Sequence, residues 1–171
     1  MAGKGAAGAT AAEKALTAAG VSFTAHRYTH DPAVRADGVG FGAEAAQALG
    51  VDPTRVFKTL VVDLGSGRLG VVIIPVLERV DLKAAASAFG AKRLAMADPA
   101  VAERSTGMVV GGISPIGQRR ALPTVLDESA LRHTAVLVSG GRRGLDFELA
   151  PADLVRATAA RVAPLVRAAA G

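Results

Sequence analysis

Residues 55–76 read RVFKTLVVDL, GSG and RLGVVIIPV, two β-branched apolar runs on either side of a short glycine-bearing turn. Valine, isoleucine and threonine pack well on a pleated surface, and a three-residue connection containing glycine joins antiparallel neighbours, so the segment predicts a β-hairpin. The turn and its sequel, GSGRLG (65–70), also match the letter of a dinucleotide-binding glycine loop. That loop works only where a strand feeds a helix whose N-terminus meets the pyrophosphate, and here the strand VVIIP follows. The hairpin reading holds, and a doubly wound parallel sheet is disfavoured.

Other local signals divide the rest of the chain. Thr10 and Glu13 have capping-box spacing for a helix over 10–19, stopped by Gly20. SFTAHRYTH (22–30) reads as a strand, DPAVRADG (31–38) as a loop, and FGAEAAQALG (41–50) as a short helix closed by glycine. Asp81 is placed to cap a helix over 82–89 ended by Gly90, and Asp98–Pro99 opens another. Short strands are expected near 107–110, 122–126 and 135–139, then at GLDFEL (144–149), before a C-terminal helix that begins at Pro151. Helices and strands mix without strict alternation. The expected fold is α+β: a single domain whose mixed sheet curls toward a barrel with flanking helices. At 171 residues the chain suits one domain, with residues 1–9 as a flexible N-terminus and 10–171 as the folded unit.

Composition excludes several function classes. The longest apolar stretch, LGVVIIPVL (69–77), falls far short of the ~20 residues needed to cross a bilayer. The N-terminus MAGKGAAGAT lacks the apolar segment of a secretory signal, so a cytoplasmic protein without membrane contact is expected. The absence of cysteine excludes disulfides, thiolate metal sites and a cysteine nucleophile. No G-x-S-x-G elbow is present. His26 and His30 are four apart but fall at a strand end, and His133 has no evident companion, so neither metal nor cofactor is expected. The net charge of +5 is uneven. Residues 1–103 hold 11 Lys and Arg against 10 Asp and Glu, whereas residues 104–171 hold 9 against 5. Arg119–Arg120 and Arg142–Arg143 belong to that basic half, which suits contact with phosphates or simply a solvated basic surface.

Two features carry candidate chemistry. Lys58 interrupts the apolar strand RVFKTLVV; it either faces solvent or holds a cation in a low-dielectric pocket, where it would bind oxyanions strongly. The stretch VVGGISPIGQRRALPTVLD (109–127) sets two glycines and a proline beside two arginines, more bare backbone than a turn requires. Tyr28, the single tyrosine, and Phe41 either pack in the core or line a pocket.

Five segments in this order, YTHDP, VFKTLVV, LKAAASAFGAKRLAMADP, RSTGMVVGGISPIGQRRALPTVLD and VSGGRRGLDFEL, resemble the YbaK family of aminoacyl-tRNA deacylases, similar in turn to the editing domain of bacterial prolyl-tRNA synthetases. The resemblance runs from about residue 10 to about residue 160. It implies a hydrolase that clears Cys-tRNA(Pro), with Ala-tRNA(Pro) or another mischarged tRNA as the alternative substrate, and a noncatalytic tRNA- or synthetase-binding module as the alternative class. By the resemblance, Lys58 is the functional lysine, and Tyr28, Phe41, Thr59, Gly111 and Asp146 are pocket positions, with Ser139 beside them. Gly111-Gly112-Ile113-Ser114-Pro115 corresponds to a G-x-x-x-P loop forming one pocket wall, and Asp146 would meet the substrate amine. Arg119, Arg120, Arg142 and Arg143 would face phosphates of the tRNA(Pro) acceptor end, with prolyl-tRNA synthetase as the partner that selects the tRNA. The implied chemistry is substrate-assisted: the cysteinyl thiol attacks its own ester carbonyl, and the protein supplies orientation and electrostatics.

Overall fold

The structure, a computed structural model, describes residues 8–34 and 40–167. Five helices and eight strands follow in the order α1 (Ala11–Ala18), β1 (Thr24–Arg27), α2 (Gly40–Leu49), β2 (Phe57–Gly65), β3 (Arg68–Pro75), α3 (Leu82–Phe89), β4 (Ala95–Met96), α4 (Pro99–Thr106), β5 (Thr124–Asp127), β6 (Val136–Arg142), β7 (Leu145–Leu149), α5 (Pro151–Thr158) and β8 (Arg161–Ala163). The hairpin forms as its sequence dictates: β2 and β3 pair antiparallel from Phe57–Pro75 to the turn, where Ser66 and Gly67 both have positive φ. The caps also form. The Thr10 hydroxyl accepts from Glu13 N at 3.2 Å, Asp81 caps α3 and Asp98 caps α4.

Two sheets result. One is antiparallel, in the order β1-β7-β6; the other is mixed, in the order β4-β2-β3-β5-β8, with β5 parallel to both neighbours. A parallel bridge between Val56 and Leu137 joins the start of β2 to β6, so the two sheets curl into one open, barrel-like layer. The period-2 alternation of β3 explains the core. Val71 and Ile73 point into a cluster with Leu16, Phe147 and Leu154 under α1 and α5. Val72 and Ile74 point the other way, against Ala85 and Ala86 of α3 and Leu165. All four are fully buried, which is why this strand is apolar at consecutive positions. Truncating Ile73 or Ile74 to alanine removes methylenes from one layer or the other and costs about 2–5 kcal/mol.

The chain is a single α+β domain, as expected, but some elements differ. No strand forms at 107–110. Gly107 ends α4 in the left-handed conformation, Met108 turns inward, Val109 turns out, and Val110 N donates to the Glu103 carboxylate at 2.9 Å. With its backbone groups taken by a turn and a side chain, the segment has no ladder to join. The strand expected over 22–30 shortens to β1, and β4 and β8 arise where no local signal announces them. Of the expected flexible N-terminus, residues 1–7 lie outside the described residues, as do residues 35–39 of the expected loop.

Candidate active site

A cavity of about 230 Å³ opens between the two sheets, under α2 and α4. Of the sequence-predicted pocket residues, Tyr28, Phe41, Lys58, Thr59, Gly111, Ile113, Ser139 and Asp146 line it. They come from six separate parts of the chain. β2 delivers Lys58 and Thr59, the segment after β1 delivers Tyr28, α2 delivers Phe41, β6 and β7 deliver Ser139 and Asp146 as cross-strand partners, and the loop after α4 delivers the rest. Lys58 lines the cavity together with its neighbours on β2 and is half-buried.

Asp146 is 5% exposed, and burial pushes its carboxyl up to about 7, against a smaller opposing pull from His26, its partner on β1. Burial also lowers Lys58, as does the charge of Arg79, with Glu78 opposing. A cation so weakly hydrated attracts strongly any oxyanion that enters. Burial, and then the carboxylates of Asp146 and Glu44, push the Tyr28 phenol up, so it stays a neutral donor. Thr59 Oγ1 is buried without a hydrogen-bond partner among the described residues. A hydroxyl left unpaired costs about 1–3 kcal/mol, and a ligand oxygen or ammonium reaching the cavity would recover it.

The glycine loop is a wall whose shape the glycines permit. Gly111 has φ +88, and a Cβ there would lie 2.8 Å from the Phe41 ring. Gly112 lies against the β6–β7 turn so closely that a Cβ would meet Arg142 Cα at 2.7 Å. Gly112, Ser114 and Pro115 do not line the cavity; they are buried in the body of the loop. There Ser114 N donates to Met108 Sδ, Ser114 Oγ accepts from Ile116 N, and Ser114 O accepts from Gln118 Nε2 at 2.9 Å. Arg143 clamps the loop from outside: its Nε and Nη2 donate to Val110 O at 3.0 and 2.7 Å, and its guanidinium lies 5.0 Å above the Phe41 ring. Arg142 donates to Gly8 O at 3.1 Å. Arg119 and Arg120 remain exposed beyond the end of α4.

Sequence reasoning missed the opposite wall, made by Met96, Ala97, Pro99 and Ala102, and it missed Glu44. The Glu44 carboxylate accepts from Asp31 N and binds His30 Nδ1 at 2.8 Å, anchoring the segment that carries Tyr28. The one available signal was the single acidic residue in the mostly apolar α2. His26 is held by Glu148 at 2.9 Å, and Glu148 is also paired with Arg55. Both β1-side histidines are thus bound to glutamates and stand outside the lining. Among the described residues no three His, Asp or Glu side chains gather as metal ligands, and no helix is long and apolar enough to cross a membrane.

A cation, a neutral phenol, an unpaired hydroxyl and a titrating carboxyl surround a mostly apolar space, and no nucleophile–base pair stands among the lining residues. Such a site binds and orients a polar, activated group. Residues 40–157 match the model of the aminoacyl-tRNA editing domain. A protein of Enterococcus faecalis (strain ATCC 700802 / V583), provisionally named Cys-tRNA(Pro)/Cys-tRNA(Cys) deacylase EbsC, is 40% identical over 113 residues, 66% of this chain and 69% of its own. A crystal structure provisionally described as a trans-editing enzyme for prolyl-tRNA synthetase superposes with a TM-score of 0.77 at 28% identity, covering 92% of this chain and 96% of that one. A hypothetical protein superposes at 0.81 with 27% identity, over 92% of this chain and all of its own. The chain belongs to the aminoacyl-tRNA editing domain family. It is a hydrolase, a deacylase of mischarged tRNA.

Proposed function

We propose that the cavity receives the 3′ end of Cys-tRNA(Pro) and that the protein clears it in trans, as one unit spanning residues 10–171. The reading rests on one observation above all: Lys58, Thr59, Tyr28 and Asp146 converge with the Gly111 loop on a cavity of about 230 Å³ in which neither the Thr59 nor the Ser139 hydroxyl is hydrogen-bonded to a base. The provisional name of the Enterococcus relative supports cysteine as the amino acid. Asp146 pairs with the α-ammonium, and Lys58 holds the terminal nucleotide and stabilises negative charge at the ester. Thr59 and Ser139 offer hydroxyls to the substrate's polar atoms, and Phe41, Gly111 and Ile113 shape the side-chain end. The thiol of the substrate attacks the ester carbonyl; a carbon–sulfur bond forms, the ester carbon–oxygen bond breaks, and the thiol proton passes to the departing ribose oxygen. The cyclic thioester then hydrolyses in water. Arg119, Arg120, Arg142 and Arg143 contact acceptor-end phosphates; Arg143 in addition braces the loop through Val110 O, and Arg142 holds Gly8 O. Prolyl-tRNA synthetase, in the cytoplasm, supplies the tRNA selection.

A side-by-side measurement of Cys-, Ala- and Pro-tRNA(Pro) deacylation tests the proposal. Cysteine should be removed fastest and proline spared. Alanine removed as fast as cysteine would refute the thiol route.

A further inference from the structure

A second groove, about 690 Å³, lies where the chain leaves β3, lined by Leu77 to Lys83 and by Arg167. Backbone bonds fix its shape. Asp81 N donates to Leu165 O at 2.7 Å, Leu165 N donates to the buried Asp127 carboxylate at 2.8 Å, and Val80 pairs with Val166 in an antiparallel bridge. One step along that register sets Arg79 opposite Arg167, and Lys83 stands in the first turn of α3.

Like charges directly across a β-bridge repel each other. Yet Arg79, Lys83 and Arg167 are all exposed, and none of them forms an ion pair among the described residues. Of the two carboxylates lining the groove, Asp81 is engaged by the α3 amides of Lys83 and Ala84, leaving Glu78. Leu77 and Leu82 are about half exposed beside the cations, at 50% and 46%. Along the chain the two adjoin: Val76 lines the cavity, and Leu77, the next residue, lines the groove.

We infer that this groove is a phosphate-binding surface for the sugar–phosphate backbone of the RNA whose charged 3′ end occupies the cavity. The inference rests on the proposed aminoacyl-tRNA substrate and adds where the RNA leaves the site. Three exposed cations outnumber the two carboxylates of the groove and match a polyanion, and two leucines beside them match the apolar face of ribose. Contacts of this kind supply affinity and register without reading sequence.

The test is kinetic, with Lys83→Gln/Arg167→Gln, which leaves in place Arg79 and Glu78, the groove residues whose charges act on Lys58. Two substrates are compared: full-length Cys-tRNA(Pro), and a short single-stranded oligonucleotide ending in the same cysteinyl-CCA. For full-length substrate KM should rise about tenfold, and the log–log salt dependence of kcat/KM should flatten by roughly 1.5, two phosphate contacts' worth. The oligonucleotide should be hydrolysed as by the wild type. Melting temperature at low salt should rise, because the repulsion is relieved. Unchanged KM and salt slope with full-length tRNA would overturn the inference, as would equal losses on both substrates. So would intact tRNA kinetics with lost binding to prolyl-tRNA synthetase, which would assign the groove to a protein partner. Failure of the wild type to hydrolyse either substrate would instead refute the proposed function itself.

Discussion

Asp146→Asn separates the carboxylate's effect on the fold from its effect on the substrate. The carboxyl ionises near pH 7 in the folded protein, against 3.8 in an unfolded chain. Below about pH 4 both states carry the proton, and the residue has no effect on folding. Between 4 and 7 the folded state keeps a proton that the unfolded state releases, so stability falls as pH rises. Above 7 the full penalty applies: about 3 units at 1.36 kcal/mol each, or about 4 kcal/mol. The 5% exposure means that solvent screening does little to reduce it. Asparagine cannot ionise. The variant should therefore exceed the wild type by only about 1 kcal/mol near pH 4.5 and by about 4 kcal/mol at pH 8.5, read from urea midpoints at the two pH values. Other titrating groups, such as Glu148, whose carboxyl the hydrogen bond from His26 holds low, are common to both proteins and drop out of the difference. Activity should move the other way: wild-type kcat/KM for Cys-tRNA(Pro) falls as pH drops through 7, and the variant is slow and flat across that range. A variant less stable than the wild type at pH 8.5 would refute the reasoning, because the carboxylate would then be a satisfied structural group.

Two further substitutions test the site. Lys58→Ala should keep its melting temperature, having no ion-pair partner to strand among the described residues, yet lose about a hundred- to a thousand-fold in single-turnover deacylation; Lys58→Arg should rescue poorly, because its planar fork is larger and aimed differently. Gly111→Ala forces a Cβ against the Phe41 ring at positive φ, so it should lower stability by about 1–3 kcal/mol in urea denaturation and raise KM; unchanged values for both would show that the loop adjusts freely.

What was legible in the sequence was local. The hairpin, the Thr10, Asp81 and Asp98 caps and the helix ends at Gly20, Gly50 and Gly90 depend on residues a few positions apart, and their chemistry is written in that spacing. Lys58 was legible as an anomaly, a charge in an apolar strand, but its direction depended on the sheets closing over it. Elements made by distant partners left no such mark. β4 is two residues long and exists because β2 is there to pair with it, and β8 exists because β5 has a free edge. The wall from Met96 to Ala102 became a site only when α4 packed over β2. Residues 107–110 misled in the opposite sense: their apolar pattern suits a strand, but the left-handed cap at Gly107 and the Glu103 carboxylate had already taken the backbone.

The glycine loop also bears on how this site tells substrates apart. Gly112 packs against the β6–β7 turn, Arg143 ties Val110, and Ser114 is bonded on three sides, so the wall is fixed before any ligand arrives. A fixed wall rejects by shape, and shape is a blunt instrument: one methylene in an apolar pocket is worth only ~1–3 kcal/mol. Cysteine and alanine, both smaller than proline, fit wherever size alone excludes proline. Separating the two then requires a step that one side chain performs and the other cannot, and a thiol positioned against its own ester is such a step. The absence of a nucleophile–base pair among the lining residues follows the same logic, since a protein nucleophile would attack any ester small enough to enter. In the proposed mechanism selectivity is located in the substrate's chemistry, and the protein's part there is to hold the ester still beside Lys58 and Asp146.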